Sequence, residues 1–170
     1  ARAIVESQLE AWPPDSTLTG RFALALYRIS TWSDDVPLRG HARRLMLSAS
    51  NRAPKNAPLA FALAQASFDD GAYDASAQMV TRALKTSPRS AAVLLLGCQS
   101  ILAMPTAQLD ARTFRKWLTQ LSNVSPEDFR PKVTAITFLG FIRGLVEMSH
   151  LERAFADAAA VDPCGASTVL

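Results

Sequence analysis

The segment from Asn56 to Pro88 constrains the fold more than any other part of this 170-residue chain. Each half of the segment places apolar or small side chains on one side of a helix. These residues are Leu59, Ala62, Leu63 and Ala66 in the first half and Ser76, Met79, Val80, Ala83 and Leu84 in the second. Asp70-Gly71 interrupts the periodicity, Pro58 stands where a helix can begin, and Pro88 closes the segment. The pattern predicts two short antiparallel helices joined by a turn.

This segment resembles a tetratricopeptide (TPR) repeat, a helix–turn–helix unit of about 34 residues. The matching positions are Leu63-Ala64, Gly71-Ala72-Tyr73, Ala83-Leu84 and Pro88. Ala60 stands where the family has a large aromatic residue, and Ser76 stands where it has a small alanine. The resemblance implies helices that cross closely at small residues.

The same spacing recurs outside this segment. Pro54 and Pro88 lie 34 residues apart, as do Ala49 and Ala83. Hairpins are therefore predicted in approximate units 16–54, 56–88, 90–124 and 125–163, after an N-terminal helix over 3–12. We predict one all-α domain over 1–170: about four stacked antiparallel hairpins, plus the N-terminal helix, in a TPR-like superhelix.

Two detailed expectations concern the ends of this array. The first hairpin is predicted to bury one face of its first helix, consisting of Leu18, Phe22, Ala25, Leu26 and Ile29. In the last unit, the segment 125–128 resembles a helix start, Pro131 restarts or kinks that helix, and the run from 133 to 148 is strongly apolar. Within it, Gly140 and Gly144 form a close-packing pair, and Ser149 with Glu152 forms a capping box that starts the next helix.

The composition favours a helical globular core. Apolar residues make up 49% of the chain and charged residues 19%, and only 7 glycines are present. The net charge of +3 is too small to indicate a nucleic-acid partner. The longest apolar run, 91–104, is too short to span a bilayer, so we expect no membrane insertion by this segment. Because residue 1 is alanine, we expect processing or excision from a longer protein.

No group of residues has the spacing of a catalytic or metal site. Two carboxylate pairs, Asp34-Asp35 and Asp69-Asp70, fall at predicted turns, where capping of backbone N–H groups is favoured over metal binding. Cys98 lies in the most apolar helix, and Cys164 lies far from it without metal-ligand spacing. The histidines and the basic cluster are interpreted as solvated surface residues: His41, His150, Arg39, Arg43 and Arg44. We predict a non-enzyme without metal or cofactor.

The TPR resemblance also implies a concave surface lined by the first helix of each hairpin. Carried over residue by residue, it places Phe61, Gln65, Phe68 and Asp69 on that surface, together with Leu94, Cys98, Ile101 and Leu102. This partner-binding groove would be apolar and suited to a peptide or helix. It lacks the Lys/Asn/Arg set with which some TPR domains clamp a carboxylate. The alternative is that a neighbouring helix covers these residues.

The resulting hypothesis is a non-catalytic protein–protein interaction or scaffold module whose partner is another protein of unknown identity. The divergent resemblance suggests a bacterial envelope or polysaccharide-assembly system, in the cytoplasm or periplasm. One alternative is the soluble regulatory domain of a larger membrane-bound glycan polymerase or transferase. Another is a helical repeat that binds nucleic acid, which salt-dependent binding would distinguish.

Overall fold

The described part of the chain is built from helices. The computed structural model describes residues 16–125 and 130–160, with side chains from residue 20 onward. Its eight α-helices are α1 (Ser16–Trp32), α2 (Val36–Arg52), α3 (Ala57–Asp69), α4 (Tyr73–Leu84), α5 (Ala91–Ala103), α6 (Ala111–Val124), α7 (Arg130–Ile142) and α8 (Met148–Ala159). A short 3-10 helix (Thr106–Gln108) precedes α6, and no strand occurs in these two ranges. The all-α prediction is confirmed. The helix predicted over 3–12, and Cys164, lie outside the described residues.

The helices pack as four successive pairs. Extensive contacts join α1 to α2, α3 to α4, α5 to α6 and α7 to α8, and the two helices of each pair follow one another in the chain, so each pair is a helical hairpin. The second helix of each hairpin also packs against the first helix of the next hairpin, and successive first helices contact one another. The four hairpins therefore lie side by side in chain order.

Side-chain caps explain where three of the helices begin. The side-chain oxygens of Asp35, Asn56 and Asp110 each accept a hydrogen bond of 2.9–3.1 Å from the backbone N–H three residues later. Prolines in the first turns of α2 and α3 remove donors that would have no intrahelical partner. The bond from the Thr113 N–H favours the charged form of Asp110 and so lowers the pKa of that carboxyl. The prediction that Asp35 caps a helix is confirmed.

Two hydrophobic cores meet at α3. The smaller one joins α1, α2 and α3 and consists largely of alanines around Met46 and Leu63. The larger one extends from α3 to the α7–α8 turn and contains the largest fully buried side chain, Phe114. Because α3 contributes to both cores, it is buried on almost every side. It therefore links the first hairpin to the rest of the molecule.

The predicted buried face of α1 is wrong. Ala25 and Ile29 are exposed, Phe22 and Leu26 are only half-buried, and the side chain of Leu18 is outside the described residues. The buried residues are instead Gly20, Ala23, Tyr27 and Ser30. The Tyr27 hydroxyl bonds across to α3 and so favours this orientation of α1, and the buried Ser30 hydroxyl is satisfied within α1 because it donates to the Tyr27 carbonyl.

The apolar run over 133–148 does not form one continuous helix, although Gly140 and Gly144 were both expected to lie in a helix. Helix α7 ends at Ile142, and Gly144 adopts a left-handed φ of +68° in the turn that follows. A left-handed residue of this kind ends a helix, here with the Leu145 N–H donating to the Gly140 carbonyl at 2.8 Å. Of the two glycines Gly140 and Gly144, only Gly140 packs closely against another side chain, that of Phe114. The N-cap of α8 is Glu147, without a side-chain capping bond, so the predicted capping box is absent.

Candidate functional site

An open groove crosses the first helices of three successive hairpins. It has a volume of about 540 Å³ and lies between α1, α3 and α5. Its lining residues are Leu24, Tyr27, Arg28, Thr31 and Trp32 from α1, Gln65, Ala66, Phe68 and Asp69 from α3, and Leu96 and Gln99 from α5. Because neighbouring first helices contact one another, the groove is continuous across the first three hairpins.

The walls of the groove combine fixed and accessible aromatic side chains. Tyr27 and Ala66 are buried and form part of the floor. Phe68 is half-buried and packs edge-to-face against Tyr73, with ring centroids 5.4 Å apart, which fixes its orientation. Trp32 is 86% exposed at the end of α1. Since large aromatic side chains are seldom left this accessible, Trp32 offers a contact surface.

The predicted groove residues separate into two groups. Gln65, Phe68 and Asp69 line the groove. Leu94 and Cys98 are 0% exposed and Ile101 is 2% exposed. Phe61 and Leu102 are partly buried against the larger core. The structure therefore places these five residues away from the open groove and puts Leu96 and Gln99 at its α5 wall.

The orientation of α5 explains this difference. A Cβ atom on Gly97 would lie 2.7 Å from Trp117 and 2.8 Å from Val80. Close approach at this glycine fixes which face of α5 points inward. Aligning the third hairpin on the second through Leu96-Gly97 assigns the inward-facing residues of α5 to the groove. An alignment shifted by one residue, with an offset of 34, instead relates Gln65 to Gln99, and both of these residues line the groove. The groove residues of α1 are absent from the sequence prediction because the TPR pattern is carried only onto the second and third hairpins, and α1 belongs to the first.

The two adjacent carboxylates of α3 have different surroundings. Asp70 accepts from Arg43 Nη1 and lies 3.0 Å from the Tyr27 hydroxyl. Asp69 lies in the groove, and no basic side chain comes within 4.0 Å of it in the part of the chain described. Loss of hydration at the groove wall and the neighbouring Asp70 charge raise the pKa of Asp69. The capping predicted for Asp69-Asp70 is not observed among the described residues: Asp70 is paired with Arg43, and Asp69 has no cation beside it.

Tyr27 connects the groove floor to the contact between the first two hairpins. Its hydroxyl lies 3.0 Å from both the Ala66 carbonyl and Asp70 Oδ1. Arg43, which pairs with Asp70, also lies 3.4 Å from the Ser67 hydroxyl. Burial, followed by the Asp70 carboxylate, raises the pKa of Tyr27 far above its usual value. The hydroxyl is therefore a hydrogen-bond donor at neutral pH.

A second, smaller cavity of about 270 Å³ lies between α6, α7 and α8. Several of its polar groups already have partners. The Thr134 hydroxyl contacts the Arg130 and Ala154 carbonyls, and Arg130 Nη1 donates to the Asp157 carbonyl. Because these contacts are local and structural, this cavity is a weaker candidate than the groove.

The residues considered for catalysis do not assemble. Burial raises the pKa of Cys98 to about 12, so its thiol is protonated at neutral pH and a poor nucleophile. His41 is half-buried on α2, whereas His150 is exposed on α8. Within residues 16–125 and 130–160, no three His, Cys, Asp or Glu side chains are grouped as metal ligands. Among the helices of the same ranges, none is long and apolar enough to cross a membrane.

No protein-family model matches the chain, and a search of curated proteins finds no match.

Proposed function

We propose that this chain is a non-catalytic, TPR-like interaction module that holds a segment of another protein in the groove between α1, α3 and α5. The observation that carries the proposal is the groove itself. Three successive first helices line a space of about 540 Å³ with an accessible tryptophan at its edge. A groove of this kind accepts an extended peptide or an amphipathic helix.

The lining residues supply both kinds of contact that a bound segment needs. Trp32, Phe68 and Leu24 offer apolar area, and accessible tryptophans dominate the binding energy of many protein interfaces. Gln65 and Gln99 stand on neighbouring helices, and each amide can donate to a peptide carbonyl and accept from a peptide N–H. The apolar contacts would supply affinity, and the amides would orient the main chain.

Selection from a display library tests this proposal. A library of linear peptides is panned against the purified chain, and the affinity of each enriched peptide is measured by fluorescence anisotropy. We expect Trp32→Ala to weaken binding about tenfold or more, because interface tryptophans commonly contribute at least 1.4 kcal/mol.

Leu47→Ala is the matched control. Leu47 is also a large exposed apolar residue, but it lies on α2 and does not line the groove. Binding should be unchanged in this variant, and both variants should keep the wild-type melting temperature. The proposal fails when no peptide is enriched, or when enriched peptides bind Trp32→Ala as tightly as wild type.

A further inference from the structure

The groove contains an acidic side chain that the fold does not use. Its α3 wall carries Asp69, whereas the adjacent Asp70 is bonded to Arg43 and Tyr27 and holds two hairpins together. No Lys, Arg or His of the described ranges comes within 4.0 Å of Asp69. Removing the Asp69 charge therefore breaks no ion pair that stabilises the fold.

From this arrangement we infer that Asp69 makes the groove select a protein segment that carries a lysine or arginine next to a bulky apolar side chain. The inference rests on the proposed function, since it names the chemistry of the occupant. A carboxylate in a partly desolvated wall gains more from an opposite charge than one in bulk water. A basic side chain would form a charge-assisted hydrogen bond with Asp69.

The neighbouring aromatic residue supports the same partner. Trp32 lines the same groove and is exposed on most of its surface. Indole is the side chain that best attracts an ammonium or guanidinium group over its face. It also provides apolar area for the residue beside the basic one. A carboxylate and an accessible indole in one groove thus favour a cationic segment over an acidic one.

Arg28 is the residue that argues for an acidic segment instead. It lines the α1 wall and is exposed. Its long side chain keeps the guanidinium hydrated, so the charge loses little while unpaired. Asp69 is also exposed, but its short side chain lies at the groove wall beside a second carboxylate, and partial burial followed by that neighbouring charge raises its pKa. A cation therefore relieves more unfavourable energy at Asp69 than an anion does at Arg28.

The test uses peptides enriched on the wild-type chain, with Asp69→Asn, Arg28→Gln and the control Asp74→Asn. Asp74 lies on α4 outside the groove, where it accepts a bond from Gln78. We expect enriched peptides to carry Lys or Arg, and Asp69→Asn to weaken them about tenfold, the usual loss for a hydrogen bond between charged groups. Replacing the peptide's basic residue with Gln should abolish the difference between wild type and Asp69→Asn.

The possible results separate this inference from the proposed function. Enrichment of acidic peptides that weaken with Arg28→Gln would overturn the cationic preference and leave the groove as the binding site. Peptides that need Trp32 but bind the Asp69→Asn variant as tightly as wild type would also overturn the cationic preference and leave the groove as the binding site. Failure to enrich any peptide would remove both proposals. Asp69→Asn should keep or raise the wild-type melting temperature, because it removes a charge beside Asp70, whereas Asp70→Asn should lower it.

Discussion

The two junctions on either side of the second hairpin are built by different means. Between the first and second hairpins, several directional hydrogen bonds accompany a hydrophobic core that is rich in alanine. Tyr27 and Arg43 bond to the end of α3, and Arg82 Nη2 donates to the Ser50 carbonyl at 2.6 Å. Arg82 also places a positive charge at the carboxyl end of α2, where the helix dipole favours it.

Between the second and third hairpins, large apolar side chains replace these polar contacts. Gly97 of α5 lets Val80 and Trp117 approach closely, and Phe114, Leu94 and Ile101 fill the larger core. In the described part of the chain, a single side-chain hydrogen bond joins α4 to α5, between Ser76 and Ser100. The comparison indicates that shape fixes the α5 wall of the groove, whereas a few polar bonds fix its α1 wall.

Truncating a side chain in the larger core should cause the greatest loss of stability. Phe114→Ala is expected to destabilise the fold by about 3–5 kcal/mol, because the ring is fully buried and lies against Gly140. Met46→Ala is the counterpart in the smaller core, and we expect it to cost less. Urea denaturation followed by circular dichroism measures both. A greater loss with Met46→Ala would show that the alanine-rich core contributes more than its size suggests.

Adding one methyl group tests whether shape fixes the second junction, the one between the second and third hairpins. Gly97→Ala would place a Cβ within 2.8 Å of Val80 and closer still to Trp117, and overpacking of this kind costs roughly 1–3 kcal/mol. Gly40→Ala is the matched control, since nothing lies within 4 Å of that position on α2. It should stabilise the helix by about 0.5–1 kcal/mol. Equal melting temperatures for the two variants would contradict the close approach at Gly97.

The stability of the first junction, the one between the first and second hairpins, should instead depend on a single hydroxyl. Tyr27→Phe removes the donor that lies near both the Ala66 carbonyl and Asp70, at an expected cost of about 1–2 kcal/mol. Tyr73→Phe is the control, because no hydrogen bond from its hydroxyl occurs among the described residues. Chemical denaturation of the two variants measures the difference. A cost equal to that of Tyr73→Phe would mean that packing alone holds α1 on α3.

The Tyr27 hydroxyl should also make the stability of the fold depend on pH in a defined direction. The native pKa of Tyr27 is raised, so the native state keeps this proton at pH values where the unfolded chain loses it. The stability contributed by Tyr27 is therefore complete below about pH 10, the unfolded value, and is lost as pH rises toward the native one. Wild type should lose more stability than Tyr27→Phe above pH 10. Parallel pH profiles would contradict the raised pKa.

The helices and most of the core followed from apolar periodicity. The buried residues of α6, for example, are four apolar residues at helical spacing: Phe114, Trp117, Leu118 and Leu121. Periodicity failed on α1 because two polar residues are buried there: the Tyr27 hydroxyl bonds across to α3, and the Ser30 hydroxyl donates to the Tyr27 carbonyl within α1. It failed after α7 because a glycine within an apolar run can continue a helix or end it, and only the backbone conformation distinguishes the two.

The groove was only partly predictable for a similar reason. Gln65, Phe68 and Asp69 were assigned from the segment whose repeat pattern is clearest. On α5, nearly every position is apolar, so the sequence carries no signal for which face points inward. The contact of Gly97 with Val80 and Trp117 decides that orientation, and it is visible only in three dimensions.

The smallest expected loss of stability comes from removing the buried hydroxyl pair at the second junction. Ser76 and Ser100 make three contacts of 2.8 Å: with the Ala64 carbonyl, with each other and with the Leu96 carbonyl. Two hydroxyls have only two hydrogens, so one contact has no proton in any arrangement. After Ser100→Ala, Ser76 still donates to Ala64, and after Ser76→Ala, Ser100 still donates to Leu96.

Each single substitution should therefore cost less than about 1 kcal/mol, because neither leaves a buried hydroxyl without an acceptor. The double substitution to alanine should cost little more than the larger of the two single ones. Denaturation of the three variants in one thermodynamic cycle measures the coupling. A cost for the pair as large as that of Gly97→Ala would place hydrogen bonding at the second junction as well, and the contrast with the Tyr27 junction would disappear. A small cost would explain how a position that is alanine in the TPR pattern accommodates serine here, since the hydroxyl has a carbonyl acceptor one helix away.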